Sequence, residues 1–141
     1  MGGYKLSYNV DGSDFTVAGE ASRNLKKVLA QLGIDPQIAR KATIAMYEGE
    51  INMVIHANGG VIDVEISPEE IHMFLRDRGP GIKNVDLAMT EGYSTATDQV
   101  RELGFGAGMG LPNMRKYTDY INIDTKVGVG TTVEMIVNIN L

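Results

Sequence analysis

The chain has 141 residues, no cysteine and a formal net charge of −5. A domain of this length buries a core without covalent staples; the missing thiols exclude disulfides, zinc thiolates and cysteine nucleophiles, and the acidic balance weighs against nucleic-acid binding. No stretch approaches the ~20 apolar residues of a membrane span and MGGYKLSYNV is no signal peptide, so a cytoplasmic domain in contact with neither membrane nor nucleic acid is expected.

Tyr4 to Val10 alternates through Tyr4, Leu6, Tyr8 and Val10 and predicts a strand, with a turn at residues 11–13. Residues 19–32 set Ala21, Leu25, Val28, Leu29 and Leu32 at helical spacing, and Gly33 closes that helix. Asp35-Pro36 opens the next, the acid as N-cap and the proline at N1. This second helix runs to about Ala57, stops at Asn58-Gly59-Gly60, and is expected to turn Ile44, Ile51 and Ile55 to the core. Val61 to Ser67 and Glu70 to Arg76 form a hairpin about Pro68-Glu69. A short helix follows over Val85 to Met89, then a polar, flexible loop over Glu91 to Leu103, then a helix over Met109 to Thr118. Asp119 to Thr125 and Thr131 to Ile139 are strands joined by a turn over residues 126–130. The pattern predicts one α+β domain, residues 1–141: a two-layer α/β sandwich, its mixed, mostly antiparallel sheet carrying helices on one face.

Glycine alternates at Gly104, Gly106, Gly108 and Gly110 in GFGAGMGLPNM. Such alternation weakens a strand, which loses packing side chains and backbone entropy. It leaves bare N–H groups that can crowd round an anion, and the start of a helix adds partial positive charge there. A phosphate cradle and a loop with glycine hinges both fit this segment taken alone. Asp77-Arg78-Gly79-Pro80-Gly81-Ile82 ends the hairpin. Its carboxylate can accept from a purine amino group while bare backbone packs on the ring; a plain turn uses the same residues.

In the long helix, Glu48 and Asn52 stand four residues apart and share a face, with His56 continuing the line. A carboxylate and an amide oxygen are hard ligands suited to Mg2+, which takes few protein ligands beside phosphate and water; a solvated polar face has the same pattern. Gly49 between them costs about 1 kcal/mol relative to alanine in a helix and suggests close approach of a backbone or ligand. Gly128-Val129-Gly130-Thr131-Thr132 suits a hairpin turn, and the Thr131 hydroxyl is also a candidate for a base.

Taken in order, these segments resemble the GHKL ATPase superfamily, the Bergerat fold shared by gyrase B, histidine kinases and MutL. Its boxes run acid/asparagine helix, D-x-G-x-G, glycine lid and G-T strand, here Glu48/Asn52, Asp77/Gly79/Gly81, Gly104 to Gly110 and Gly130-Thr131. Within the superfamily the chain resembles the anti-sigma-factor serine/threonine kinases. DRGPGI, EGYST and GAGMGLPNMRKYTD are most similar to the switch-kinase branch that phosphorylates STAS-domain proteins. The likeness is firmest over residues 42–135.

The resemblance implies ATP and Mg2+ as cofactors and a role for each matching residue. Glu48 would be the general base and Asn52 the Mg2+ ligand. Asp77 would accept the adenine amino group, with Gly79, Gly81 and Ile82 beside the base and Thr131 completing the contact. Gly104, Gly106, Gly108, Gly110 and Leu111 would offer N–H groups to the phosphates, and Arg101 would reach the γ-phosphate. The implied substrate is a STAS-domain protein, with a sigma factor or a phosphatase as further partners and a homodimer as an assembly seen among sigma-binding relatives. Two departures stand out: Ile51 occupies a position often basic in this branch, and GFGAG replaces the commoner GLGLG. A nucleotide-gated binding module without catalysis is the alternative function.

The remaining candidates have plain readings. His72 falls in an alternating strand as a sheet residue, and His56 lies two turns from Glu48. The eight methionines suit core filling. Tyr93-Ser94-Thr95 reads as an exposed hinge.

Overall fold

Alternation and helical spacing become the following elements in a computed structural model, which describes residues 3–12, 18–57, 59–79, 81 and 110–139. They are β1 (Tyr4–Asp11), α1 (Glu20–Gln31), α2 (Pro36–Ala57), β2 (Gly59–Ile66), β3 (Glu70–Asp77), α3 (Gly110–Lys116), β4 (Tyr120–Lys126) and β5 (Gly130–Asn138). The expected helix at Val85 to Met89 and loop at Glu91 to Leu103 lie outside the described residues.

The strands form one sheet in the order β1-β2-β3-β5-β4, and every pairing among the described strands is antiparallel. β1 pairs with β2 across the intervening α1 and α2, from Tyr4 opposite Ile66 to Asp11 opposite Gly59. This pairing starts β2 at Gly59, two residues before the sequence expectation, because Gly60 is matched on both sides, to Val10 and to Asp77. One sheet face carries Ile62, Val64, Ile71, Met73, Leu75, Met135 and Val137, all buried against Leu25, Leu29, Met46 and Met53 of the helices. The other carries polar pairs: Lys5 with Glu65, Arg76 with Asp63 and His72 with Glu134. Met46, Met53, Met73, Met114 and Met135 are all core residues, where an unbranched side chain fills irregular gaps.

Local chemistry fixes both helix junctions. α1 ends in a Schellman motif: Gly33, at φ +74°, donates to the Ala30 carbonyl and Ile34 to that of Leu29. Asp35 Oδ1 then accepts from the Gln37 N–H at 2.8 Å, capping α2. The start of α1 is different. Its N-cap is Gly19, which has no side-chain oxygen. Glu50 of α2 supplies the acceptors instead, taking N–H bonds from Gly19, Ala21 and Ser22 and the Ser22 hydroxyl at 2.6 Å. Buried to 3 % exposure, this carboxylate clamps α1 to α2.

The expected inward stripe of α2 needs correction. Ala39, Ala42, Ala45, Met46 and Met53 belong to the main core cluster; Ile51 is buried outside it, and Ile44 and Ile55 are only half-buried. α2 is covered by the sheet, by α1 and by α3, so no single periodic face describes it. Gly49 owes its place to this crowding: a Cβ there would overlap the Leu75 side chain and lie 3.3 Å from Met114 Sδ. Side chains, rather than a backbone or ligand, make the close approach.

Candidate functional site

Asp77 is the last residue of β3, paired with Thr131 of β5 on one side and Gly60 of β2 on the other. Its Oδ1 accepts two backbone N–H bonds, from Gly79 at 2.8 Å and from Thr131 at 3.1 Å. Together they hold the carboxylate in one orientation, with both bonds on a single oxygen. Gly130, at φ +150°, permits this: a Cβ there would overlap the Asp77 carbonyl oxygen. Gly81, at φ +79°, lies against the β4–β5 turn, where a Cβ would sit 2.6 Å from the Lys126 carbonyl oxygen. Thr131 is buried, and its hydroxyl meets the Thr125 hydroxyl at 2.8 Å.

α2 crosses over this end of the sheet. Its Gly49 packs on Leu75, two residues before Asp77, and its Met53 methyl reaches Gly60, the partner of Asp77. Glu48 and Asn52, one turn apart and both half-buried, belong to this same stretch. Glu50 between them projects from the opposite side of the helix into the α1 cap. Burial pushes the Glu48 carboxyl above the ordinary carboxylate value, while a side-chain hydrogen bond from Asn113 of α3 acts in the lowering direction; burial is the larger influence. The result is a carboxylate more basic than a surface glutamate, beside an amide oxygen.

The structure therefore gathers Glu48, Asn52, Asp77, Gly79, Gly81 and Thr131 at one end of the sheet, with Gly110 and Leu111 opening the α3 helix that packs on α2. Ile82, Arg101, Gly104, Gly106 and Gly108 lie outside the described residues, as does the His56 side chain. His72 is a sheet residue: its ring meets Glu134 at 2.6 Å and stacks on Phe74 at 4.4 Å. Three residues here carry no motif. Glu50 and Asn113 act through contacts distant in sequence, and neither spacing signals them. Thr125 was accessible: it and Thr131 flank the turn, and a hairpin register places them opposite one another.

The donor set fits a nucleotide with its metal. One amide oxygen, from Asn52, is too little to hold a bare divalent cation, but it suits Mg2+ that brings phosphate and water ligands with it, and it leaves the Glu48 carboxylate free. A fixed carboxylate at a strand end, with close-packed glycine backbone around it, suits a flat base bearing an amino group.

The family described as histidine kinase-like ATPase domain matches residues 13–137. Over 95 residues the chain is 36% identical to an anti-sigma F factor of Anoxybacillus flavithermus, a match spanning 67% of this chain and 58% of that protein. It is 27% identical over 127 residues to the serine/threonine-protein kinase RsbT of Bacillus subtilis, covering 87% of each. In fold it is similar to a Mycobacterium tuberculosis structure of RsbU and RsbW domains, with a TM-score of 0.64 at 18% identity over 95% of this chain and 31% of that one.

Proposed function

The chain belongs to the histidine kinase-like ATPase domain family, and we propose that it is an ATP- and Mg2+-dependent serine/threonine kinase acting on a STAS-domain partner in bacterial sigma-factor control. The observation that carries this reading is Glu48: a carboxylate made more basic by burial, one helical turn from Asn52, above the strand end that fixes Asp77. Such a group would take the proton of a serine or threonine hydroxyl. Asp77 Oδ2 would accept the adenine amino group, since Oδ1 already serves Gly79 and Thr131. Asn52 would hold Mg2+. The backbone at Gly110 and Leu111, with Gly104, Gly106 and Gly108, would face the phosphates, and Arg101 the γ-phosphate. When bound, Mg2+ neutralises phosphate charge; the protein's own part is placement and proton acceptance. A cytoplasmic location accompanies this reading, and no described helix is long and apolar enough to cross a membrane.

Labelled ATP mixed with STAS-domain proteins tests it. Transfer to a serine or threonine is expected, lost in Glu48→Ala; no transfer, or transfer indifferent to that change, contradicts it. The anti-sigma F factor relatives favour a second reading, in which nucleotide gates the capture of a sigma factor. Partner affinity that is the same with and without ATP removes that alternative.

A further inference from the structure

We propose that Thr125 is a positioning residue for base recognition: its hydroxyl sets the direction of the Thr131 hydroxyl, so that the strand end offers acceptors to the base and selects a purine that bears an amino group. The inference rests on the nucleotide reading above and adds to it a residue on a third strand, β4.

Three side chains form one row across the sheet. Asp77 of β3 is opposite Thr131 of β5, and Thr131 is opposite Thr125 of β4; directly opposed residues share a face. Thr131, the middle member, is 7 % exposed. Its backbone N–H is spent on Asp77 Oδ1 at 3.1 Å, and its hydroxyl lies 2.8 Å from that of Thr125. Beside them, the Gly130 carbonyl oxygen stands 3.4 Å from Thr125 Oγ1 and accepts from it. A hydroxyl has one proton and two lone pairs, whereas a carbonyl only accepts. With the Thr125 proton directed to Gly130, the bond between the two hydroxyls uses the proton of Thr131. Thr131 Oγ1 is then left with acceptor capacity alone.

Asp77 Oδ2 is an acceptor as well. A base amino group, with two N–H donors, matches such an edge. A carbonyl at the same ring position brings lone pairs to lone pairs and leaves buried acceptors unpaired. The row therefore distinguishes adenine from guanine, and Thr125 contributes without touching the base. Removing its hydroxyl releases the Thr131 proton, which can turn to a ring carbonyl. Part of the edge's polarity is then lost, while Asp77, the glycine backbone and the strand pairing stay in place.

The full chain is compared with Thr125→Val, which keeps the shape and removes the hydroxyl, Thr125→Ala, which removes it with less bulk, and Thr125→Ser, which retains it. Calorimetry with Mg-ATP, and displacement titrations for weaker Mg-GTP, give an affinity ratio for each protein. Wild type is expected to prefer Mg-ATP by about a hundredfold or more. In Thr125→Val and Thr125→Ala the preference should narrow by about tenfold, and in Thr125→Ser it should stay within about twofold of wild type. A merely structural role weakens both nucleotides alike and leaves the ratio where it was. An unchanged ratio in both hydroxyl-free variants, or a ratio that narrows equally in Thr125→Ser, overturns the role of Thr125. Wild type that binds Mg-ATP and Mg-GTP equally overturns the selective edge, whereas wild type that binds neither overturns the nucleotide reading itself.

Discussion

Glu48, the proposed base, carries a cost to the fold. Its carboxyl holds a proton to higher pH in the folded chain than in the unfolded one, because burial outweighs the Asn113 bond. Its contribution to stability is therefore greatest below the ordinary carboxylate value. That contribution is lost as pH rises from there through the raised folded value, so at neutral pH the buried charge weakens the fold. Glu48→Gln imitates the protonated state. It should melt at a higher temperature than wild type at pH 7 and converge with it near about pH 4, while phosphate transfer falls by on the order of 10²–10⁴. Melting curves at the two pH values and a transfer assay check both halves. A wild-type protein more stable than the variant at pH 7 contradicts the burial argument.

At the scale of elements, α2 divides its sides among several tasks. Glu50 caps α1, Gly49 admits α3 and the strand below, and Glu48 and Asn52 lie half-buried on the same stretch. Glu50→Ala strips four donors of their acceptor in a buried place. Solvent re-entering the helix start offsets part of that loss. A destabilisation of about 3 kcal/mol, or a Tm drop on the order of 10 °C, is expected by thermal or urea unfolding. Glu50→Gln should cost less, since one oxygen acceptor remains. Gly49→Ala sets two effects against each other. Alanine gains about 1 kcal/mol of helix propensity, but overpacking a filled core costs about 1–3 kcal/mol. The Cβ would overlap Leu75, itself buried at 2 % exposure, so packing wins and urea unfolding should show a net loss of about 1 kcal/mol. A more stable alanine variant means that the core has room there.

The same elements show what the sequence discloses and what it hides. Asp35-Pro36 and Gly33 announce the helix boundaries because capping is local chemistry, and β1, β2 and β3 announce themselves by period. The Asp77 and Glu48/Asn52 segments were legible as motifs. The α1 cap was not, since its oxygen comes from a residue 28 positions or more away. Nor was the stripe of α2, because burial on several sides erases the one-face pattern that a periodicity argument needs. Asn113 was hidden for a related reason: an asparagine in a short helix looks like a turn residue until α3 is seen lying on α2.

At the scale of the whole molecule, two layers meet where β3 ends and β5 begins, and the long helix lies across the junction. A ligand held at such a junction ties both layers together and stabilises the folded chain by mass action. Mg-ATP at about a hundred times its dissociation constant should add about 2.7 kcal/mol, raising Tm by about 5–10 °C. Glu48→Gln should keep that rise, since proton acceptance is not binding. A Tm indifferent to Mg-ATP argues against a site spanning the layers.

Calorimetry of Mg-ATP with wild type and Asp77→Asn bears most directly on nucleotide recognition. Asparagine keeps the oxygen that Gly79 and Thr131 bind and replaces only the other carboxylate oxygen with a donor, so the fold is preserved while the adenine contact is not. Wild type should bind with measurable heat. The variant should bind about 10- to 100-fold more weakly, the loss of one hydrogen bond to a charged group. No heat with wild type, or equal affinity in Asp77→Asn, would contradict an adenine nucleotide held at the end of β3.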